Sequence, residues 1–273
     1  MSAAFAQVDV FSDRALSGNP LAVVTLDRPL PDDRMQALAA WTNLSETVFV
    51  LPPDVTGAHY SLRIFTPVTE LPFAGHPTLG AAAVWAHSHN HAGPEIVQHC
   101  AAGLIRVRRD AAARFAFLAP PLRRAEALSA SDIAHLAQAV GIAPGDVCAG
   151  AWVDNGPGWC ALELSSAALL WAATPDYATL AGQRLGLVAA TEGDAAYEVR
   201  AFSASGFEDP VTGSLQAGIA QWMRARAASL GDRWTARQGR MVGRDGWVYI
   251  TCDGDDLWIG GDVCAVIEGR ISL

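Results

Sequence analysis

The feature that most limits how this chain can fold is an internal repeat. Glu70-Leu-Pro-Phe-Ala-Gly-His-Pro-Thr-Leu-Gly80 aligns without a gap on Glu208-Asp-Pro-Val-Thr-Gly-Ser-Leu-Gln-Ala-Gly218, 138 residues later. Glutamate, proline and both glycines coincide. Each copy follows a strand-like run (Arg63-Ile-Phe-Thr66, then Val199-Arg-Ala-Phe-Ser203) and opens an alanine-rich helical stretch ending in Trp85 or Trp222. The period is far too long for a solenoid. Two domains of one fold follow, and the strand pattern pauses and restarts around Ala119–Pro121. The predicted domains are 1–120 and 121–273, with the last strand free to cross back to the first. No low-complexity linker separates them.

Within that frame, period-two runs dominate the first half. Strands are predicted at 5–11, 20–26, 46–51 and 59–66, and again over 95–100, 103–109 and 114–119. A helix fits 32–42, with Asp32 and Asp33 favourable at its start and Met35, Leu38, Ala39 and Trp41 as its apolar positions. The segment 77–87 has little polar face, so it reads as a buried helix. The second half offers helices at 131–141 and 214–229. Its strands fall at 147–154, 159–164, 185–191, 196–203, 247–252 and 256–260, with a last stretch from Val263. Four of the five cysteines (100, 148, 160, 252, 264) sit among apolar residues and read as small buried hydrophobes.

Charge narrows the chemistry. The 273 residues carry 19 basic and 28 acidic groups, a net charge of −9. Such a chain lacks the electrostatic footprint for nucleic acid or an anionic membrane surface. No apolar run reaches the roughly 18–20 residues of a membrane span, and the first residues do not look like a secretion signal. A cytoplasmic protein is expected. All 19 basic residues are arginine. Without lysine there is no Schiff base to pyridoxal phosphate and no Gly-x-x-x-x-Gly-Lys phosphate loop.

The repeated loops place a glycine, Gly75 or Gly213, where a helix begins. A helix N-terminus leaves backbone N–H groups unpaired and carries about half a positive charge. Two such termini facing each other would grip a carboxylate, although tight corners alone would also explain the glycines. Gly80 and Gly218, inside the helices, read as packing positions. Three ionisable residues lie beside these loops: His76, Asp209 and, entering a strand, Glu46. A carboxylate in a half-apolar cleft gains proton affinity and can act as acid or base near neutral pH. Each residue alone also has a structural explanation, as a turn closer, a helix cap or a hydrogen-bonded core histidine. His87-Ser-His-Asn-His91 has alternate histidines, but at the frayed end of a helix it reads as a solvated loop, and no metal is expected.

The ordered set Ser17-Gly-Asn-Pro-Leu-Ala-Val23, Leu44-Ser-Glu-Thr47, Arg63-Ile-Phe-Thr-Pro67, Gly75-His-Pro-Thr78 and Glu208-Asp-Pro-Val-Thr-Gly-Ser214, with Gln238-Gly239 and Gly260, resembles the phenazine-biosynthesis (PhzF-like) isomerases, relatives of diaminopimelate epimerase. The resemblance runs from about Val8 to the C-terminal Gly269-Arg-Ile-Ser-Leu273. It implies an α+β fold of two pseudo-symmetric diaminopimelate-epimerase-like domains, each a curved, mostly antiparallel sheet wrapped around a central helix. It further implies a substrate cleft between them, a homodimer, and acid–base chemistry without a cofactor. Glu46, His76 and Asp209 correspond to its catalytic positions, and Gly75, Gly213 and Ser214 to its carboxylate-binding loops. Epimerases of this superfold resemble one another in facing two cysteines across the site. Here those positions are His76 and Ser214, so a two-thiol racemisation is not expected. Ala74 departs from the cysteine many relatives carry.

The expected function is therefore proton transfer on a small carboxylated substrate. A non-catalytic small-molecule binder and an epimerase with non-thiol bases are the alternatives.

Overall fold

The computed structural model describes residues 2–226 and 230–273. The chain divides into two compact units, Met1–Leu118 together with Gly260–Leu273, and Ala119–Ile259. The first contains β1 (Ser2–Val10), β2 (Asn19–Thr25), α1 (Asp32–Thr42), β3 (Glu46–Leu51), β4 (Tyr60–Phe65), β5 (Glu70–Leu71), α2 (Gly75–Ser88), β6 (Glu95–Cys100), β7 (Gly103–Arg109) and β8 (Phe115–Leu118). The chain continues with α3 (Ala130–Ala139), β9 (Val147–Trp152), β10 (Trp159–Leu164), α4 (Ala167–Ala172), α5 (Tyr177–Leu180), β11 (Arg184–Ala190) and β12 (Tyr197–Phe202). It ends with β13 (Glu208–Asp209), α6 (Gly213–Arg226), β14 (Arg233–Gln238), β15 (Gly246–Asp253), β16 (Asp256–Gly261) and β17 (Val263–Ser272).

The repeat extends well beyond eleven residues. In the first unit β1 is antiparallel to β2, β2 parallel to β3, β3 antiparallel to β4, and β4 antiparallel to β5 but parallel to β6. β6 and β7 then form an antiparallel pair. The second unit repeats this scheme strand for strand with β9, β10, β11, β12, β13, β14 and β15. α2 and α6 occupy the same place in it, each following the two-residue strand. β17 pairs along the whole of β1, which is why the last segment belongs with the first unit.

Each central helix is held close to its sheet. α2 packs on β1, β2, β3, β6, β7, β8 and β17, and its Leu79, Ala81 and Ala82 are fully buried. A Cβ on Gly80 would lie 2.5 Å from Leu21 Cδ2, and one on Gly218 would overlap the Val153 carbonyl oxygen. Both glycines are packing positions, at a cost of up to about 1 kcal/mol each in helix propensity. The other sheet face is covered by smaller helices. α1 buries Met35, Leu38 and Ala39 against Val24, Phe49 and Phe65. Full burial of a side chain like Met35 is worth about 1.5–3 kcal/mol. α3 and α4 do the same for Leu162, Leu187 and Phe202.

Several sequence expectations are corrected. Trp41 is 78% exposed, because two residues past Ala39 is the far side of a 3.6-residue turn. Only Cys100 and Cys160 are buried; Cys148 is exposed, and Cys252 and Cys264 are partly so. Strand alternation turns the exposed ones outward. The helices begin two residues and one residue earlier than expected, which brings Gly75, His76 and Gly213 inside their first turns. Residues 227–229 of the expected 214–229 helix lie outside the described residues. α4, α5 and β14 went unread, though α4 and α5 carry side-chain N-caps, Ser166 and Asp176. No helix among the described residues is long and apolar enough to cross a membrane.

Candidate active site

Two groups of the expected residues come together, one in each unit. In the first, α1 ends on Asn43 in the left-handed region, whose N–H returns to Ala39 O. The chain reverses and enters β3 at Glu46, which stands beside Leu21 of β2 in parallel register. Behind β3 lies α2, and there Glu46 Oε2 approaches His76 Nε2 at 3.4 Å. Both side chains are shielded, with 15% of Glu46 and 6% of His76 accessible. The contact is long for a hydrogen bond, a spacing common for catalytic pairs before substrate binds. Burial pushes the His76 imidazole down to about 3. The ring is almost wholly removed from water, and desolvation disfavours its charged form. His76 is neutral at pH 7.

His76 sits in the first turn of α2. Thr78 N–H is the first to close an intrahelical bond, to Ala74 O, and Pro77 has no N–H. Ala74, at the N-cap, makes no side-chain cap bond. Helix geometry therefore leaves the N–H groups of Gly75 and His76 directed outward at the positive end of the helix dipole. A terminus of this kind can accept an anion, and it stands beside the Glu46 and His76 side chains.

The second group lies at the start of α6. Gln216 N–H bonds Thr212 O, so the N–H groups of Gly213, Ser214 and Leu215 occupy the equivalent first turn. Trp159 Nε1 donates to Ser214 Oγ at 3.1 Å, and Asn155 Nδ2 donates to Ser214 O at 2.8 Å. An indole N–H can only donate. Ser214 Oγ is therefore the acceptor there, and that bond does not use its own proton. Asp209, at the end of β13, accepts from Thr212 Oγ1 at 2.6 Å. Gln238, fully buried at the end of β14, donates to Asp209 O at 3.0 Å.

The repeated glutamate has a structural place. Arg63 clasps Glu70 through two bonds of 2.7 and 2.6 Å, and Arg200 clasps Glu208 through two of 3.0 and 2.7 Å. Each pair ties the strand before the loop to the segment leading into the helix. Sequence reading gave no role to Arg200, Asn155, Trp159 or Gln216, and Arg63 and Thr212 stood in it only as part of the family pattern. Gln238 entered only as part of the family pattern. Among the described residues no group of three or more His, Cys, Asp or Glu is placed to hold a metal ion. His89 stacks on Trp85 at 4.5 Å, and its Nδ1 meets Trp85 O at 2.9 Å.

A family model described as phenazine biosynthesis-like protein matches residues 8–269. The chain is 32% identical over 279 residues to the trans-2,3-dihydro-3-hydroxyanthranilate isomerase of Pseudomonas aeruginosa, covering 97% of this chain and 98% of that one. A crystal structure of a PhzF-family phenazine biosynthesis protein from Enterococcus faecalis superposes with a TM-score of 0.84 at 24% identity, covering both chains completely. A structure described as a probable proline racemase, from Agrobacterium radiobacter, gives a TM-score of 0.62 at 12% identity over 99% of this chain and 93% of that one, a likeness of fold alone.

Proposed function

The chain belongs to the phenazine biosynthesis-like family of isomerases, and from that premise we propose that it moves a proton within a small carboxylated substrate without a cofactor. The observation that carries the reading is Glu46, a shielded carboxylate 3.4 Å from a buried histidine that burial keeps neutral. Glu46 takes a proton from a substrate carbon, the electron pair shifts along the conjugated system, and the same carboxyl returns the proton at another carbon. Neutral His76 hydrogen-bonds a substrate hydroxyl or amine, and Asp209 orients its neighbour. The first turns of α2 and α6, with Ser214, hold the carboxylate in the cleft that the family resemblance implies. General acid–base help contributes roughly 10²–10⁴-fold, and positioning supplies much of the remainder.

The Pseudomonas relative is named for a substrate with a carboxylate, an amine and a hydroxyl on one ring. Those three groups suit the helix N–H donors, Asp209 and His76. The test is incubation of trans-2,3-dihydro-3-hydroxyanthranilate with protein dialysed against chelator, followed by proton NMR. The reading expects a rearranged product with nothing else added. Substrate left unchanged at enzyme concentrations near its own would reject this substrate. Turnover only on adding a cofactor would reject the cofactor-free mechanism. The family resemblance also supports a cytoplasmic homodimer, for which light scattering should return twice 28.8 kDa.

A further inference from the structure

A single hydrogen-bond chain in the second unit has only one self-consistent direction. Thr212 N–H must donate, and it points to Gln238 Oε1 at 3.2 Å. Asp209 O must accept, and it faces Gln238 Nε2 at 3.0 Å. Two backbone groups thus settle which end of the fully buried Gln238 amide is oxygen. Gln216 Nε2 agrees, donating to the same Oε1 at 2.9 Å. The second Nε2 proton then goes to Thr212 Oγ1 at 3.0 Å. With a lone pair so occupied, the one Thr212 hydroxyl proton is aimed at Asp209 Oδ2, 2.6 Å away.

We propose that Gln238 and Thr212 are positioning residues for Asp209, a one-way relay that holds its carboxylate as an acceptor toward the substrate. This rests on the reading of Asp209 as a substrate-facing residue. Neither relay residue touches the reacting atoms. Gln238 fixes the rotor of Thr212, and Thr212 fixes the orientation and charge state of Asp209. A short hydroxyl bond to a carboxylate is charge-assisted and favours the ionised form. Of the charged groups around it, Glu208 and Arg200 are clasped together at 2.7 Å, and Arg244 lies beside the adjoining Pro210, across Gly239. At the matching positions the first unit has Cys100 in place of Gln238, and Leu71 and Ala74 in place of Asp209 and Thr212. Two residues earlier in β6, the fully buried Gln98 donates to Thr78 Oγ1 at 3.1 Å and accepts from Tyr60 at 3.1 Å, within the core.

The experiment is a carbon-13 NMR titration of the Asp209 carboxyl in the full-length protein, which needs no substrate. Thr212→Val removes the hydroxyl at constant shape, and Gln238→Asn withdraws the amide by one methylene. Each should favour protonation of Asp209 about tenfold, raising its titration midpoint by about one pH unit. Thr212→Ser should restore the wild-type midpoint, which a purely structural role for the threonine methyl would not do. An unchanged midpoint in Thr212→Val, or no rescue by serine, would overturn the relay. Asp209→Asn, assayed for deuterium exchange into trans-2,3-dihydro-3-hydroxyanthranilate, separates the two claims. Full exchange in that variant would reject Asp209 as a substrate-facing residue, whatever the titration shows.

Discussion

In the first unit Arg63 reaches Glu70 and Asp32 with about a quarter of its side chain in water, whereas Arg200 makes the equivalent clasp on Glu208 with only 6% accessible. Their stacking is also the same: Arg63 lies 5.1 Å from the Phe65 ring centre and Arg200 5.0 Å from that of Phe202. The third partner differs. Arg63 takes a carboxylate at the start of α1, and Arg200 takes the Leu170 and Ala173 carbonyls at the end of α4, at 3.0 and 2.6 Å. One inherited device therefore sits at two depths. The comparison teaches that an ion pair's weight comes from what surrounds it, since exposed pairs contribute about 0–1 kcal/mol while breaking a buried one costs about 3–5 kcal/mol.

The largest effect that could break the comparison is thus Arg200→Met against Arg63→Met. Chemical denaturation should show a loss of about 3–5 kcal/mol for the buried arginine and about 1 kcal/mol or less for the exposed one. Equal losses would mean the two clasps are equivalent after all.

The central glycines sharpen it next. An alanine at 218 meets a backbone carbonyl, while one at 80 meets the flexible end of Leu21. Overpacking costs about 1–3 kcal/mol, and the helix regains up to about 1 kcal/mol. Gly218→Ala should lie at or above the top of that range and Gly80→Ala near its foot, as read by thermal melts.

A third test falls on the first unit alone. His76 is held neutral to about pH 3 by burial, whereas a free histidine takes a proton near 6.5. The unfolded chain therefore binds the extra proton first. This contribution is intact above pH 6.5 and is lost progressively as pH falls toward 3. At pH 5 the loss is about 2 kcal/mol relative to pH 7. His76→Gln should flatten the slope by that amount, and an unchanged slope would mean the imidazole is not held neutral.

Much of this was legible in the sequence. Asp32–Thr42 carries its acids and its apolar stripe, and β3, β6, β7 and β10 alternate or run apolar between clear turns. β14 was missed because Arg233, Arg237 and Gln238 mask an alternation in which Trp234, Ala236 and Gln238 all point inward. The paired arginines were hidden for a different reason. The loop from Arg63 to Glu70 spans seven residues and that from Arg200 to Glu208 eight, so an ungapped alignment of the glutamates slips by one at the arginines. Glu46 and His76 stood out beside the repeated loops and took their catalytic roles from the family resemblance, but their contact, thirty residues apart in the chain, needed the packing of α2 behind β3. The relay through Thr212 and Gln238 depends on donor directions that no spacing encodes.

The central claim is that the proton-carrying group lies in the first unit, at Glu46, while Asp209 in the second orients the substrate. Deuterium uptake from heavy water into trans-2,3-dihydro-3-hydroxyanthranilate, measured for wild type, Glu46→Gln and Asp209→Asn together, tests it most directly. The account predicts exchange by wild type, a loss of roughly 10²–10⁴-fold in Glu46→Gln, and a smaller loss with a raised KM in Asp209→Asn. Exchange surviving in Glu46→Gln but vanishing in Asp209→Asn would contradict it.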